Sequence, residues 1–190
     1  MTSSLEPVVR SDEELMLVYQ SGDREAFDEL YKRYAKPIYN FLRRAAQQPD
    51  AADDLCQKTF LKLHVGRHRY RPQAPFRYWI FTIARNVLRD DARERRRKPT
   101  TDLGALDGHG ATEVESPRRD TMDVGLMVSE AIAALPLGQR EVIVLNRYQG
   151  MNYAEIGEVL EISENAVKQR AFQAMHTLRR RLQGIGHPLG

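Results

Sequence analysis

A run of polar side chains near the C-terminal end of the chain could make hydrogen bonds to nucleic acid. Its members, which recur at helical spacing, are Asn165, Lys168, Gln169, Phe172, Gln173 and His176. Lysine, glutamine and asparagine side chains can bond to phosphates and to base edges in a major groove. The same residue types also suit a helix face that is merely solvated. The pattern by itself leaves both interpretations open.

The residues around this run predict two helices joined by a tight turn, within residues 151–182. Four apolar residues at helical spacing form the first helix, and residues 161–163 interrupt it. Ser163 can then cap the second helix, because its hydroxyl accepts a hydrogen bond from a free backbone N–H. An apolar stripe from Val167 to Leu182 lies opposite the polar run. A helix-turn-helix with residues 163–179 as recognition helix fits this pattern, and so does a plain helical hairpin.

Charge is nearly balanced over the 190 residues but is locally segregated. The chain has 29 basic and 26 acidic residues, which gives a net charge of +3. Residues 64–77 contain no acidic residue, and residues 85–98 are rich in arginine. Basic segments of this kind are candidate phosphate-contacting surfaces. The alternative is a solvated basic helix end.

Several function classes have no support in the sequence. Cys56 is the single cysteine, so neither a disulfide framework within the chain nor a cysteine-rich metal site is expected. The five histidines lack a metal-ligand spacing, and no nucleophile–base pair, carboxylate pair or glycine-rich phosphate loop is present. There is no signal-peptide core or membrane-spanning run. We therefore expect a cytoplasmic protein that is not an enzyme, has no cofactor or metal, and does not insert into membranes.

The first half of the chain predicts an all-α domain with no strand. Helical periodicity is expected from Ser11 to about residue 20, and then over 24–47, 51–65 and 76–97. Pro37 should bend the second of these helices or mark its last irregular turn. Residues 66–75 form a basic loop with two prolines.

The second half predicts a separate, smaller all-α domain. Residues 99–122 read as a flexible linker because they are rich in Gly, Thr, Asp and Pro. Helices follow from residue 123 to Pro136 and over 139–148, ahead of the helix-turn-helix. The expected organisation is a disordered lead-in (1–10), a first domain (11–98), the linker (99–122), a second domain (123–183) and a tail (184–190).

Six stretches of the chain, in order, resemble one family. They are residues 22–27, 53–63, 76–86, 135–142, 153–157 and 163–171. The chain is similar to the extracytoplasmic-function group of bacterial RNA polymerase sigma factors of the sigma-70 family. The resemblance implies a region 2-like helical bundle and a region 4-like helix-turn-helix. It also implies a subunit that binds core RNA polymerase, recognises the promoter and opens the -10 element.

The resemblance implies specific partners and a docking site. The partners are promoter DNA, the beta-prime clamp helices and beta flap of the polymerase, and an inhibitory anti-sigma factor. Docking on the clamp helices is implied for Asp53, Asp54, Gln57 and Phe60. An exposed acidic helix start explains the two aspartates equally well, and Phe60 could be a core residue.

Recognition of the -10 element is implied for the 71–75 loop and the helix after it. The loop would capture a flipped base, for which Tyr70, Gln73 and Phe76 are chemically suited. The positions implied to contact -10 DNA are Arg71, Gln73, Arg77, Arg85, Asn86 and Arg89. Arg85 could instead pair with Asp90. Trp79 is expected mainly in the core.

Recognition of the -35 element is implied for the second domain. The matching positions are Arg147, Asn165, Lys168, Gln169, Phe172 and Gln173. Many family members have Gly-Thr where this chain has Asn165-Ala166, and Arg and Ser where it has Lys168 and Gln169. Because Arg and Lys differ at a bidentate guanine contact, the family's usual -35 sequence does not transfer to this chain.

Two other function classes are compatible with a helix-turn-helix. A self-sufficient transcription regulator would need a dimerisation surface and a palindromic site. A module that binds only protein would show no salt-dependent DNA binding. The basic loop and the polar helix of the first domain argue against the regulator, which does not need them.

Overall fold

The computed structural model describes residues 10–46, 48–97 and 119–183, without the side chains of residues 49 and 119–123. Within these ranges the chain forms eight α-helices and two short 3-10 turns, and it has no strand. The all-α class predicted from the sequence is confirmed. Most of the expected lead-in and linker and the whole tail lie outside the described residues.

The helices closely follow the predicted pattern. They are α1 (Asp12–Gln20), α2 (Arg24–Ala45), α3 (Ala52–Gly66), α4 (Phe76–Arg97), α5 (Arg119–Ala133), α6 (Leu137–Gln149), α7 (Tyr153–Leu160) and α8 (Glu164–Gln183). The largest difference is at α5, which begins four residues before the predicted start, where apolar periodicity is weak. Pro37 lies inside a continuous α2 and does not mark its last turn.

Polar caps fix where several helices begin. Ser11 and Glu14 form a capping box at α1, and Asn152 and Glu155 form another at α7. Asp23 accepts hydrogen bonds from two backbone N–H groups at the start of α2. Such caps satisfy amide groups that the helix itself leaves unpaired. The caps therefore determine the residue at which each of these helices begins.

The buried residues of two groups of helices, α1 to α4 and α5 to α8, form one hydrophobic cluster. In the first group the fully buried residues include Met16, Leu30, Ile38, Phe41, Leu55, Leu63 and Ile80. Trp79 packs beside them, with its ring centroid 5.2 Å from Tyr70 and 6.1 Å from Phe76. Trp79 itself is half-buried, so it lies at the edge of the core and not fully inside it. The second group contributes Val142, Leu145, Ile156, Leu160 and Val167 to the cluster.

The turn between α7 and α8 has two special positions. A Cβ on Gly157 would lie 2.9 Å from the carbonyl oxygen of Ile162, so only glycine fits without a backbone shift. Glu161 ends α7 with a positive φ of 53°, in the left-handed region. Together these residues shape the tight turn after which α8 packs against α7, as in a helix-turn-helix.

The two groups of helices contact each other, which the sequence did not indicate. Helix α2 packs against α5 and α6, and α4 packs against α7. Arg140 of α6 is buried and donates from Nη1 to the carbonyl oxygens of Ala45 and Ala46, at 3.0 Å each. Its Nη2 donates to Leu135 at 2.9 Å. One arginine of the second group therefore caps the C-terminal end of α2 in the first.

Candidate nucleic-acid interface

Helix α8 separates an apolar face from a polar one. Its buried residues are Val167, Ala171, Ala174 and Leu178. The five predicted -35 residues on this helix, namely Asn165, Lys168, Gln169, Phe172 and Gln173, are all exposed. The Ser163 hydroxyl caps the helix by accepting a bond from the Ala166 N–H at 3.2 Å. The folded chain thus presents the predicted reading residues together on one open face.

Phe172 is unusual on this face because it is an apolar ring with 75% of its surface exposed. Two neighbours of the ring already have intramolecular partners. Lys168 Nζ lies 2.7 Å from a Glu164 carboxylate oxygen, and Gln139 Nε2 donates to Gln173 Oε1 at 3.3 Å. Both contacts are on the surface, so water or DNA can replace them at low cost. The side chains can therefore turn to a ligand.

Two arginines of the second group of helices, Arg147 and Arg170, differ in exposure and in contacts. Arg147, in the last turn of α6, is exposed. The guanidinium of Arg170 lies over the backbone of Gly138, where an added Cβ would be 3.3 Å from Nη1. Arg170 therefore connects α8 to the start of α6. This placement fits an anchor better than a free phosphate contact.

The predicted -10 residues on α4 already have partners in the second group of helices. Arg85 is buried, and its Nη1 lies 3.0 Å from a carboxylate oxygen of Glu161. Arg89 donates from Nε and Nη2 to the two carboxylate oxygens of Glu141, at 3.0 and 2.9 Å. This hydrogen bonding raises the pKa of Arg89.

The other two predicted -10 residues of α4, Arg77 and Asn86, differ in their contacts. Arg77 donates to the carbonyl oxygen of Gln149. Asn86 is exposed. The alternative pair of Arg85 with Asp90 is not formed, because the carboxylate of Asp90 lies 2.9 Å from Lys62 instead. Of the predicted -10 residues on this helix, only Asn86 is exposed, and Arg77, Arg85 and Arg89 bond across to the other group.

The loop before α4 presents a different set of groups than expected. Tyr70 and Phe76 are buried, and the Tyr70 hydroxyl donates to the carbonyl oxygen of Ala74 at 2.8 Å. Burial raises the pKa of Tyr70 to about 12. Arg71 and Gln73 are exposed. The two aromatic rings thus hold the loop in shape, and the exposed loop residues are the ones that can reach a base.

The outer face of α3 carries the predicted polymerase-docking residues. Asp53, Asp54 and Gln57 are exposed, and Asp54 pairs with Lys58 at 2.6 Å. Phe60 is buried, with its ring centroid 4.7 Å from that of Tyr31. Phe60 is therefore a core residue, which was the alternative interpretation of its role, and it lies beneath the exposed residues predicted to dock on the polymerase.

Two apolar residues on the same face were not singled out as surface residues. Leu61 is 62% exposed and Val65 is 72% exposed. They follow Gln57 at steps of four, so the three side chains lie in one row. An apolar residue inside a helix that is otherwise buried on one side would be expected to point inward, but Leu61 does not. Helical spacing indicates that Leu61 and Val65 are exposed, because Leu55, Thr59 and Leu63 already fill the buried face of α3.

Other kinds of site have no support in the described part of the chain. No group of three or more His, Cys, Asp or Glu side chains there could hold a metal ion. No helix among the described residues is long and apolar enough to cross a membrane.

These features define a class of protein. Two helical units, one with a helix-turn-helix and the other with an arginine-bearing helix, are the arrangement of a transcription protein that contacts DNA at more than one place. The family models agree, since Sigma-70 region 2 matches residues 30–98 and Sigma-70 region 4 matches residues 125–178.

Sequence and structural similarity to known proteins assigns the chain to one family within this class. The sigma factor CarQ of Myxococcus xanthus is 34% identical over 163 residues, covering 85% of this chain and 91% of CarQ. The ECF sigma factor SigM of Mycobacterium tuberculosis is 30% identical over 173 residues, covering 91% of this chain and 85% of SigM. The solved structure of CnrH, in complex with the cytosolic domain of CnrY, matches with a TM-score of 0.70 and 27% identity, covering 92% of this chain and 99% of CnrH. The chain belongs to the extracytoplasmic-function group of sigma-70 RNA polymerase sigma factors.

Proposed function

We propose the following division of labour for this sigma factor. The α3 face with Asp53, Asp54 and Gln57 docks on the beta-prime clamp helices, and the second unit meets the beta flap. The 71–75 loop and α4 bind the -10 element, and α8 binds the -35 element. The two units span residues 11–98 and 123–183.

The observation that carries the -35 assignment is the two-faced character of α8. A fully buried stripe holds the helix against α6 and α7, and every predicted reading residue on α8 is exposed opposite it. Five polar or aromatic side chains over nine residues can cover several base pairs of a major groove. A helix that served only the core would not need an exposed phenylalanine at Phe172.

The docking assignment is supported by the mixed chemistry of the α3 face. Leu61 and Val65 supply apolar area next to Gln57 and the two aspartates. Protein interfaces combine an apolar centre with a polar rim, and this row has that composition. We add Leu61 and Val65 to the docking site on this ground.

The protein is proposed to work in the cytoplasm without catalytic chemistry or a cofactor of its own. RNA synthesis would then belong to the polymerase. An anti-sigma factor is proposed as a further partner. In support, the sigma factor RpoE of Bartonella quintana, whose fold this chain shares, was solved in complex with the anti-sigma factor NepR.

Run-off transcription tests the proposed function. Core polymerase with the purified protein should initiate at promoters from the source genome, including the one upstream of its own gene. Core alone should not. The absence of stimulation at every promoter would contradict the proposal and leave the self-sufficient regulator, which should bind a palindromic duplex without polymerase.

Paired variants test the docking face within the same assay. Leu61→Ser and Val65→Ser should each weaken binding to core polymerase, since buried apolar area is lost from the interface. The matched control is Leu126→Ser, which changes an exposed leucine on α5. An equal loss of polymerase binding in Leu61→Ser and Leu126→Ser would indicate that the substitutions impair folding and not the docking face.

A further inference from the structure

Helix α1 forms hydrogen bonds to both ends of the loop before α4. The side-chain amide Nε2 of Gln20 donates to the carbonyl oxygens of Arg67 and Tyr70, at 2.6 and 3.1 Å. At the other end of the loop, the backbone N–H of Phe76 donates to a carboxylate oxygen of Glu13 at 2.8 Å. One helix therefore holds the loop at both of its ends.

The spacing of these two side chains explains how α1 reaches both ends. Glu13 and Gln20 are seven residues apart, which is about two helical turns, so they lie on one face and about 10 Å apart along the axis. Both side chains are partly buried, and Met16 between them is fully buried in the core. Helix α1 also packs against α2 and α4. The two polar groups therefore project from a helix whose position is fixed by packing.

Glu13 caps α4 from another helix. The first backbone N–H groups of a helix lack an acceptor within the helix, and the helix dipole favours a negative group at this end. No acidic residue lies in the first turn of α4. The carboxylate of Glu13, 63 residues earlier in the chain, supplies both the acceptor and the negative charge. The start of α4, and with it the end of the loop, is thereby tied to α1.

The tip of the loop is exposed, so its shape depends on hydrogen bonds. Residues 71–75 are all exposed, and burial therefore contributes little to fixing them. Arg71 Nη1 donates to the carbonyl oxygens of His68 and Tyr70, at 2.8 and 3.1 Å, which uses one of its guanidinium nitrogens. The Tyr70 carbonyl oxygen thus accepts from both Arg71 and Gln20. The bond from Gln20 acts on a carbonyl that also orients a predicted base-contacting residue.

We propose that Glu13 and Gln20 are positioning residues for base recognition at the -10 element. They fix the separation and direction of the two loop ends, so that Arg71 and Gln73 meet a flipped base in one geometry. Flipping a base costs free energy that contacts in the loop must return, and misplaced donors would return it less selectively. The inference rests on the proposed function of this loop.

Substitutions that remove each bond and nearly keep the length of the side chain test the proposal. Gln20→Met loses the donor and Glu13→Met loses the acceptor, and methionine favours a helix. Glu13→Gln keeps an acceptor oxygen for the Phe76 N–H and should behave like the wild type. The control is Glu14→Met, which breaks the capping box at Ser11 on the exposed side of α1. This control separates a less stable α1 from a misplaced loop.

Hydrogen exchange of the Phe76 amide, followed by NMR on the free full-length protein, tests the bond to Glu13 directly. Exchange should be faster by roughly fivefold or more in Glu13→Met than in the wild type, because this amide loses its acceptor. It should stay near the wild-type rate in Glu13→Gln. An unchanged rate in Glu13→Met, or an equal acceleration in Glu14→Met, overturns the positioning role of Glu13.

Base discrimination by the holoenzyme measures the functional consequence. The assay compares open-complex formation on promoters that carry each of the four bases at each -10 position. Arg71→Ala and Gln73→Ala, made separately, identify the positions that the loop reads. Gln20→Met and Glu13→Met should lower discrimination at those positions by roughly threefold or more, and should leave discrimination in the -35 element unchanged. Glu14→Met should keep the wild-type discrimination at both elements.

A combined variant distinguishes positioning from general stability. When Arg71→Ala and Gln73→Ala are both present, Gln20→Met should cause no further loss of discrimination, because the residues that it positions are gone. A further loss in this background, or a uniform loss at every -10 position, overturns the proposal.

The inference and the proposed function can fail separately. If neither Arg71→Ala nor Gln73→Ala changes discrimination at any position, the assignment of the loop to the -10 element is contradicted and the inference falls with it. If these variants do change discrimination and Gln20→Met and Glu13→Met do not, the inference alone is overturned. Circular dichroism identifies a variant that has failed to fold, in which case the other positioning residue decides.

Discussion

Arg89 of α4 and Glu141 of α6 form a two-point ion pair across 52 residues of sequence, with N–O distances of 3.0 and 2.9 Å. The carboxylate is fully buried, and the guanidinium is partly open to solvent. Two parallel bonds fix both the distance and the angle between the helices that carry them. This pair therefore restrains how α4 and α6 meet, together with the other contacts between the two units.

The pair should show strong energetic coupling. Arg89→Gln or Glu141→Gln alone leaves a charged group without its partner, and the double variant removes both charges. We expect a coupling free energy of about 1–3 kcal/mol from a double-mutant cycle in urea denaturation. The surface pair of Lys58 and Asp54 is the control, with an expected coupling below about 0.5 kcal/mol. Equal coupling in the two cycles would show that the pair across the units is no tighter than a surface pair.

Gly157→Ala should destabilise the helix-turn-helix. The new Cβ would lie 2.9 Å from the Ile162 carbonyl oxygen, so the turn must move, at a cost of about 1–3 kcal/mol. Gly125→Ala is the matched control, because nothing lies within 4 Å of its Cβ and it sits inside α5. That change should raise the free energy of unfolding by up to about 1 kcal/mol through helix propensity. Thermal denaturation of both variants provides the comparison.

Glu155 should make a pH-dependent contribution to stability. The Asn152 backbone N–H and the Tyr78 hydroxyl both donate to its carboxylate, and these bonds hold its pKa below the usual value. A depressed pKa in the folded state stabilises the protein above the unfolded pKa, and the benefit is lost as pH falls through the folded value.

The stability difference between the wild type and Glu155→Gln is the quantity to measure. It should be largest at neutral pH, should begin to shrink as the pH falls to the unfolded pKa of about 4.3, and should vanish only below the depressed folded pKa, where the carboxyl is protonated in both states. Urea denaturation at a series of pH values gives the curve. A difference that stays constant with pH would mean that the charge of Glu155 has no role.

Lys168 should read one part of the -35 element. Lys168→Ala is expected to weaken binding at one or two base positions by about 1–3 kcal/mol if the contact is to a base. Glu164→Gln should have the opposite sign, since it releases Lys168 from its 2.7 Å partner. Holoenzyme binding to a set of single-base promoter variants measures both, with Lys32→Ala on α2 as control. Uniform weakening at all positions would assign Lys168 to a phosphate.

Cys56 should react slowly with alkylating reagents. Partial burial and the nearby charge of Asp53 raise the pKa of its thiol, so little thiolate is present at neutral pH. Iodoacetamide should modify it more slowly than free cysteine at pH 8, a working pH near the ordinary thiol pKa of about 8.5. Asp53→Asn should speed the reaction by lowering the pKa. If core polymerase covers α3, it should slow the reaction further, and an unchanged rate would contradict docking there.

The helices and their order could be predicted because their signals are local. Ser11, Asp23 and Ser163 are caps whose side chains bond within three residues, and apolar spacing marks each buried face. The same reasoning placed the reading residues of α8 on one face. It also predicted a core position for Trp79, which the structure shows half-buried against the core.

The relation between the two units could not be predicted because its signals are distant in sequence. In the sequence, Arg140 looks like any other basic residue of a helix. In the structure its guanidinium caps α2 by donating hydrogen bonds to backbone carbonyl oxygens that are 94 and 95 residues away. The exposure of Leu61 and Val65 is indicated by spacing within α3, but whether a partner covers such a face depends on how α3 packs against α2 and α4. Which arginines face DNA or protein depends on such packing and not on composition.

Glu161 combines a strained backbone with a contact between the units, and this has an evolutionary consequence. Its positive φ would suit glycine better by roughly 1 kcal/mol, yet glycine would delete the bond to Arg85. A single codon change at this turn could thus strengthen the second unit while loosening its hold on the first. Selection could therefore adjust the contact between the two units at this turn without altering any residue of α8.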